Sequence, residues 1–227
     1  MSCRIEDYGL IGDCETAALV GRDGSIDWLC WPAFDSDACF AALLGTHRHG
    51  RWLIAPAEEV TATSRRYRDD TLILETRFET ADGAVELIDF MPPRGNASDV
   101  VRLVCGVSGR VKMRMQLVIR FGFGADIPWV KKNADGSGLL AICGPDMTVL
   151  RTPVETRGED LTTVADFEVS ADETVPFVLT YGSSHLAVPE PIDPKLALQE
   201  TEAFWTEWCG RCAHGRENLL GEGVVLA

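Results

Sequence analysis

Apolar and polar residues alternate along much of the chain between residues 70 and 181. The clearest case is RVKMRMQLVIR, in which the apolar residues that share one face of an extended chain are Val111, Met113, Met115, Leu117 and Ile119. In TLILETRFE the same period places Leu72, Leu74 and Phe78 inward. It places Glu75, Arg77 and Glu79 outward. A period of two is typical of a half-buried antiparallel strand, so the pattern predicts a strand in each segment.

Turn-forming sequences separate the strand candidates from one another. Further candidates are AVELIDFM, VVRLVCGV, GLLAICG, MTVLR, TTVADFEVS and TVPFVLTY. Between them lie ADG at residue 81, PPRGN at 92, SG at 108, NADGSG at 133 and GPD at 144. Many short strands with regular turns predict a mainly β fold. We expect residues 1–185 to form one large antiparallel β-sandwich.

Helical patterns occur at only two places. Residues 35–44, DSDACFAALL, have Asp35 or Ser36 as a cap, a body of small residues, and Gly45 as a stop. From residue 193, DPKLALQETEAFWTEWCGRC starts with an aspartate cap and a proline at the first helical position. The residues on one stripe of this second segment are Leu198, Thr201, Trp205 and Trp208. The sequence therefore predicts a short helix near the N-terminus and an amphipathic C-terminal helix.

The segment that precedes the second helix, HLAVPEPIDP, contains three prolines and is predicted to be a semi-rigid connector. Residues 186–227 are accordingly predicted to be a linker and helix outside the sandwich domain. Trp205 and Trp208 lie three residues apart and give this helix a large apolar face that needs a cover. We expect the helix to fold back on the sandwich or to pair with a second copy in a homodimer.

Charge and composition exclude several classes of partner. The 227 residues carry 35 Asp and Glu against 21 Lys and Arg, for a net charge of −14, and the cations are not gathered into a stripe. Such a chain repels phosphate backbones and anionic lipid, so no nucleic-acid or membrane partner is predicted. The N-terminal sequence lacks the pattern of a signal peptide, and no apolar run approaches the ~20 residues that span a bilayer. We expect a cytoplasmic protein with free thiols rather than disulfides.

The residues that could carry chemistry do not assemble into a recognisable site. Asp13 and Glu15 share a face, but an early loop or edge strand that displays acids is the simplest interpretation. His47 and His49 would share a face of a strand but have no third metal ligand. Cys209, Cys212 and His214 form a single cysteine pair with a nearby histidine and no second ligand pair. No catalytic residue, metal site or cofactor is predicted.

The opening region contains a predicted hairpin. Residues 18–20 and 25–31 can pair across the Asp-Gly turn at 23–24. Alternation then places Trp28 and Cys30 on one face, interpreted as the core, and Trp31 on the other, where it covers an edge. Trp31 and the Phe-Asp-Ser turn that follows it are therefore candidates for a contact surface.

Several motifs together resemble one known family. IEDYGLIGDCETAALVGRDGSIDWLCWPAFDSDACFAALLG, the later HGRWLIAP and LIDFMPP, and IRFGFG before IPWV are similar to the N-terminal domain of bacterial glycoside hydrolase family 15, the glucoamylase-like and trehalase-like group. The resemblance implies an antiparallel supersandwich and a helical linker, followed by a six-fold α/α barrel that hydrolyses α-glucosidic bonds with inversion. The catalytic glutamates of the family lie in the barrel and have no counterpart in these 227 residues.

Three functional hypotheses follow from this resemblance. In the first, the chain is an accessory domain, inactive alone, that supports a catalytic barrel. Trp31, Asp35 and Trp129 then contact the barrel or approach its sugar. In the second, the chain is a carbohydrate-binding sandwich that presents exposed aromatic rings to a glucan or trehalose. The third, a mutarotase-like enzyme, rests on fold analogy alone.

Overall fold

The computed structural model describes residues 4–133, 136 and 138–211. Within these residues the chain forms fifteen strands and one α-helix. The strands are β1 (Gly9–Gly12), β2 (Ala17–Val20), β3 (Ser25–Cys30), β4 (Ala38–Phe40), β5 (Arg51–Pro56), β6 (Val60–Tyr67), β7 (Leu74–Thr80), β8 (Gly83–Phe90), β9 (Ser98–Val118), β10 (Trp129–Lys132), β11 (Leu139–Cys143), β12 (Asp146–Arg151), β13 (Arg157–Glu159), β14 (Thr162–Ser170) and β15 (Thr174–Ser183). The helix α1 spans Pro194–Arg211, and 3-10 turns occur at Ile5–Asp7, Ala42–Leu44, His47–His49 and Gly122–Gly124.

The strands form two antiparallel sheets that share β9. The first sheet has the order β1-β2-β3-β5-β9, with β4 paired to β3 and the β13–β14 hairpin paired to β9. The second sheet has the order β6-β7-β8-β9-β15-β12-β11-β10. Buried side chains of both sheets, such as Trp52 of the first and Phe177 of the second, belong to one core cluster. The predicted large antiparallel β-sandwich is therefore confirmed.

Strand β9 differs from the sequence prediction in one respect. The predicted turn at Ser108 and Gly109 is a bend inside a continuous strand, which passes here from the second sheet to the first. Gly109 has φ +66, and a Cβ at this position would lie 2.0 Å from the carbonyl oxygen of Asp82. Only glycine fits here, because a side chain would meet both a strained backbone and a steric clash. The alternation of residues 111–117 is confirmed, and Met113, Met115 and Leu117 are buried in the core.

A buried ion pair lies in the centre of the fold. Arg102 Nε donates to Asp89 Oδ1 at 2.7 Å, and both side chains are fully buried. The same guanidinium donates to the carbonyl oxygens of Trp52 (2.6 Å) and Gly24 (2.7 Å). These bonds connect β8 and β9 with β5 and the turn before β3. Burial raises the pKa of Asp89, and the adjacent charge of Arg102 opposes that rise.

The prediction of a short helix over residues 35–44 is wrong. Ala38–Phe40 form β4, which pairs with β3 through Leu29↔Phe40 and Cys30↔Ala38, and only Ala42–Leu44 form a 3-10 turn. The carbonyl of Cys39 also accepts a hydrogen bond from the backbone N–H of Arg120 at 3.2 Å. Local propensity favours a helix in this run of small residues. Pairing with β3 and burial in the core decide the conformation instead.

The C-terminal helix is confirmed as α1. Asp193 Oδ1 accepts from the backbone N–H of Lys195 (2.8 Å) and of Leu196 (3.3 Å), which caps the N-terminus as predicted. The helix buries Ala197, Thr201 and Trp205. Ala197 packs with residues on the outer face of the second sheet, namely Ile73, Ile88, Phe90, Val101, Leu103 and Val178. The helix therefore folds back on the sandwich, as expected.

Polar contacts hold α1 against the β6–β7 connection. Arg68 donates to Glu202 at 2.7 Å and to Glu75 at 2.9 Å. Glu75 was predicted to face solvent. It is buried, because it lies beside Arg68 on the side of the domain where α1 packs. Trp208, the second tryptophan of the predicted apolar face, is 51% exposed. A homodimer formed through this ring stays a prediction.

Candidate functional site

A buried carboxylate organises the start of the chain. Asp13 Oδ1 accepts from the backbone N–H groups of Glu15 (3.0 Å) and Thr16 (2.8 Å). Its Oδ2 accepts from Arg94 Nε and Ser98 Oγ, both at 2.8 Å. The side chain is buried, so Asp13 is not displayed at the surface as the sequence pattern indicated. Four hydrogen bonds, one of them from an arginine, satisfy this carboxylate, which gives it a structural role.

The same network holds the loop of residues 31–37. Arg94 donates to the carbonyl of Pro32 at 2.7 Å, and Trp31 Nε1 donates to Ser98 Oγ at 2.9 Å. The backbone N–H of Phe34 donates to the carbonyl of Glu15 at 3.0 Å. A loop that is tied to the fold at three points presents its remaining side chains in fixed positions.

Trp31 lies inside the domain. Its exposed fraction is 3%, and its ring lies 5.8 Å from that of Tyr181. The prediction that Trp31 covers an edge at the surface is therefore wrong. Trp28, which was predicted to lie in the core, is partly exposed. A bulge in the β3–β4 pairing at Leu29 and Cys30 breaks the alternation, so Cys30 and Trp31 are both buried.

Asp35 lies at the surface of the loop, as expected. Its neighbour Phe34 is 62% exposed, although the sequence analysis did not select it as a site residue. Ser36 Oγ accepts from the backbone N–H of Ala33 at 3.1 Å and stabilises the turn. An exposed aromatic ring beside a carboxylate, in an ordered turn, is a surface that can contact a partner. In the sequence, the Phe-Asp-Ser turn was the feature that indicated this contact surface.

Trp129 is the most exposed large apolar residue of the described chain, with 77% of its surface accessible. It lines a groove of about 580 Å³ between β10 and the β13–β14 hairpin. The groove also contains Lys131, Arg157 and three threonines, and none of the described residues that line it is Asp or Glu. Arg120, 8% exposed, donates to the carbonyls of Ile119 (2.6 Å) and Leu161 (3.3 Å) at this groove. Burial lowers the pKa of Arg120.

A second cleft, of about 700 Å³, lies between the sandwich and the connector to α1. Asp99 lines it, is buried, and accepts a hydrogen bond from Thr180 Oγ1 at 2.5 Å. Burial raises the pKa of Asp99, an effect that the Thr180 bond and the charge of Arg151 oppose. Glycoside hydrolysis uses two positioned carboxylates that act on opposite sides of one bond. Glu190, Asp193 and Glu200 also line the cleft but are exposed, so among the described lining residues no second buried carboxylate faces Asp99.

The other buried acids are also engaged within the fold. Five carboxylates are buried among the described residues. Asp13 accepts from Arg94, Asp27 from Tyr8 and Ser25, Glu75 from Arg68, Asp89 from Arg102, and Asp99 from Thr180. Each of these contacts stabilises the fold.

The histidines do not form a metal site in the part of the chain that the structure describes. His47 and His49 lie in a 3-10 turn, where His49 Nδ1 accepts from the backbone N–H of Thr46 at 3.0 Å. Residues 4–133, 136 and 138–211 contain no group of three or more His, Cys, Asp or Glu placed to hold a metal. Cys212 and His214 lie outside the described residues. Among these residues, no helix has the length and apolar character that crossing a membrane requires.

Two antiparallel sheets that share one long strand, with a helix on one outer face, define this chain as an antiparallel β-sandwich protein. The family described as "Trehalase-like, N-terminal" matches residues 1–205. The chain belongs to this trehalase-like N-terminal domain family.

Relatives with curated descriptions are trehalases from archaea and bacteria. The chain is 26% identical over 217 residues to a trehalase of Thermoplasma volcanium, a match that covers 93% of this chain and 34% of that protein. It is 31% identical over 136 residues to trehalase 1 of Sulfolobus acidocaldarius, covering 60% and 23% of the two chains. It is 40% identical over 79 residues to a trehalase of Mycolicibacterium smegmatis, covering 35% and 12%. The chain thus spans about a third of the length of the Thermoplasma relative.

Proposed function

We propose that the chain is the non-catalytic N-terminal accessory domain of a glycoside hydrolase family 15-type α-glucosidase, glucoamylase-like or trehalase-like. In this proposal it supports or shapes an α/α-barrel catalytic domain that contributes the acid and base. The observation that carries it is the family match over residues 1–205 in a chain that spans 34% of a trehalase relative. Residues 1–185 act as the sandwich domain, and residues 186–227 lead toward the barrel.

The geometry of the loop at residues 31–37 supports this role. Asp13, Arg94 and Ser98 hold the loop from inside, while Phe34 and Asp35 face outward. In this proposal Asp35 contacts the barrel directly, whereas the buried Trp31 positions the loop. A cytoplasmic location and assembly as a homodimer accompany the proposal as untested predictions.

The isolated chain is expected to release no glucose from trehalose, maltose or starch above the buffer rate. Among the described residues that line the second cleft, Asp99 accepts a hydrogen bond from Thr180, while Glu190, Asp193 and Glu200 are exposed. No second buried carboxylate accompanies Asp99, so a matched acid and base are not in place. A coupled glucose assay, with an active trehalase as positive control, checks this.

Asp99→Asn is the matched variant for this assay, because Asp99 is the buried carboxylate that lines a large cleft. Turnover by the wild-type chain that Asp99→Asn abolishes would contradict the accessory role. Turnover that persists in the variant at the same rate would indicate a contaminating enzyme.

A second candidate function is carbohydrate binding at the groove beside β10. The exposed indole of Trp129 favours it, because sugar rings stack on flat aromatic faces, while lysine, arginine and threonine side chains can donate to sugar hydroxyls. The groove volume of about 580 Å³ falls within the range of small-molecule sites. In this candidate function the ligand is trehalose or a short glucan.

If this candidate is correct, calorimetric titration with trehalose or maltooligosaccharides shows saturable heat. Trp129→Ala then weakens binding by roughly tenfold or more, since removal of the stacking surface costs on the order of 1.4 kcal/mol. Trp208→Ala is the control, because Trp208 is also exposed but lies on α1. No heat at millimolar sugar, or equal loss in both variants, contradicts the candidate.

A further inference from the structure

Exposed apolar side chains are concentrated at one end of the first sheet. Fifteen large apolar residues are exposed among the described residues. Four of them, Phe34, Leu44, Phe123 and Ile127, lie in the loops that follow β3, precede β5 and follow β9, and a fifth, Trp129, is the first residue of β10. Single exposed apolar residues are ordinary, whereas a group on one surface indicates an interaction site.

The strand pairing explains why these loops meet. β5 is antiparallel to β3 and also antiparallel to β9, so β3 and β9 run in the same direction. The loops that follow β3 and β9 therefore leave the sheet at the same end, where the loop before β5 also lies. We call residues 31–37, 41–50 and 119–129 the loop end of the domain.

Direct contacts join residues 41–50 with residues 119–129, and they link the latter segment to β3 and β4. The backbone N–H of Arg120 donates to the carbonyl of Cys39 at 3.2 Å, and the rings of Trp28 and Phe123 lie 6.2 Å apart. Gly124 has φ +98, and a Cβ there would lie 2.8 Å from Cβ of His49. The loops after β4 and β9 are therefore packed against each other.

Hydrogen bonds fix the conformation of the loop that follows β9, in which the ring of Phe123 is exposed. Phe121 and Asp126 exchange two backbone hydrogen bonds of 3.0 Å each. Between them Phe123 adopts φ 58, a left-handed conformation that is rare for an aromatic residue, and its side chain is about half exposed. A strained residue that the surrounding structure maintains at a surface is a feature of functional sites.

The loop end has a net charge of −1. It contains three carboxylates (Asp35, Asp37, Asp126) and two arginines (Arg48, Arg120). Near-neutral charge and exposed aromatic rings are typical of the centre of a protein interface.

We propose that the loop end is the surface on which the catalytic domain of a longer trehalase-like protein docks. This inference rests on the proposed function. The occupant follows from the relatives, which continue well beyond the matched third of their length, and from the near-neutral apolar character of the surface. Phe34, Phe123 and Trp129 are the aromatic residues that the catalytic domain covers.

Amide hydrogen exchange on the 227-residue chain and on the full-length protein that continues into the catalytic domain tests the proposal. Amides of residues 41–50 and 119–129 are expected to exchange at least tenfold more slowly in the full-length protein. Amides near Val107, an exposed apolar residue of β9 away from the loop end, serve as the internal control and should not change.

A full-length double variant, Phe34→Ser with Trp129→Ser, is expected to lose this protection while the strands of the sandwich keep theirs. Val107→Ser is the matched control and should retain the protection. Equal exchange of the loop end in both proteins, with trehalose hydrolysis by the full-length protein intact, overturns the docking surface and leaves the accessory function standing. If the reading frame does not continue into a catalytic domain, the proposed function fails as well.

If a second copy of the chain occupied the loop end, the exchange experiment would give a different result. Protection of the loop end would then rise with the concentration of the isolated 227-residue chain, together with a dimer in sedimentation. Loss of that dimer in Phe34→Ser would assign the surface to self-association and overturn the proposal.

Discussion

Replacing Arg102 with leucine is expected to lower the free energy of unfolding by about 3–5 kcal/mol, because it leaves a buried carboxylate without its partner. Arg102 and Asp89 are both fully buried, and the guanidinium also bonds the carbonyls of Trp52 and Gly24. Those two oxygens would lose their donor as well. Urea unfolding followed by circular dichroism measures the change.

The destabilisation by Arg102→Leu should depend on pH. Burial holds the pKa of Asp89 above its usual value even beside Arg102, and loss of that cation raises the pKa further. The folded variant then binds a proton more tightly than the unfolded chain. Its stability is greatest at acid pH and falls as pH rises through the folded-state pKa.

Arg110→Leu is the matched control, since Arg110 forms an exposed pair with Glu168 at 3.5 Å. It should remain within about 1 kcal/mol of the wild type. The double variant Arg102→Leu, Asp89→Leu should recover part of the lost stability, because it removes both buried charges. A single variant Arg102→Leu as stable as the control would contradict the role given to the pair.

Replacing Asp13 with alanine is expected to lower the free energy of unfolding by about 3 kcal/mol and to loosen the loop of residues 31–37. The variant leaves two backbone N–H groups, Ser98 and Arg94 without their common acceptor. Arg94 then holds the carbonyl of Pro32 less firmly. Faster amide exchange in residues 31–37, with the strands of the second sheet unchanged, is the specific measurement.

Glu15→Ala is the control for Asp13→Ala, because Glu15 also pairs with Arg94 (3.3 Å) but its side chain is 59% exposed. It should change the stability by about 1 kcal/mol or less. Equal effects of the two variants on exchange would show that the buried network does not hold the loop.

Local patterns in the sequence determined much of this fold. The alternation of residues 111–117 gave the buried face of β9, and Asp193 followed by a proline gave the start of α1. The Asp-Gly turn at residues 23–24 gave the β2–β3 hairpin, in which Leu19 pairs with Trp28. Each signal depends on residues close together in the chain, where period, cap or turn chemistry specifies the backbone directly.

Only the tertiary structure decided how the candidate site is arranged. Trp31 is buried because of a bulge beside it and because its indole reaches Ser98, 67 residues further along the chain. Residues 38–40 form a strand because β3 pairs with them, although the run of mostly small residues around them predicted a helix. The loops that carry Phe34 and Phe123 meet because β5 pairs with both β3 and β9. Such long-range pairings depend on which apolar faces are buried together, a property of the whole fold that local periods do not encode.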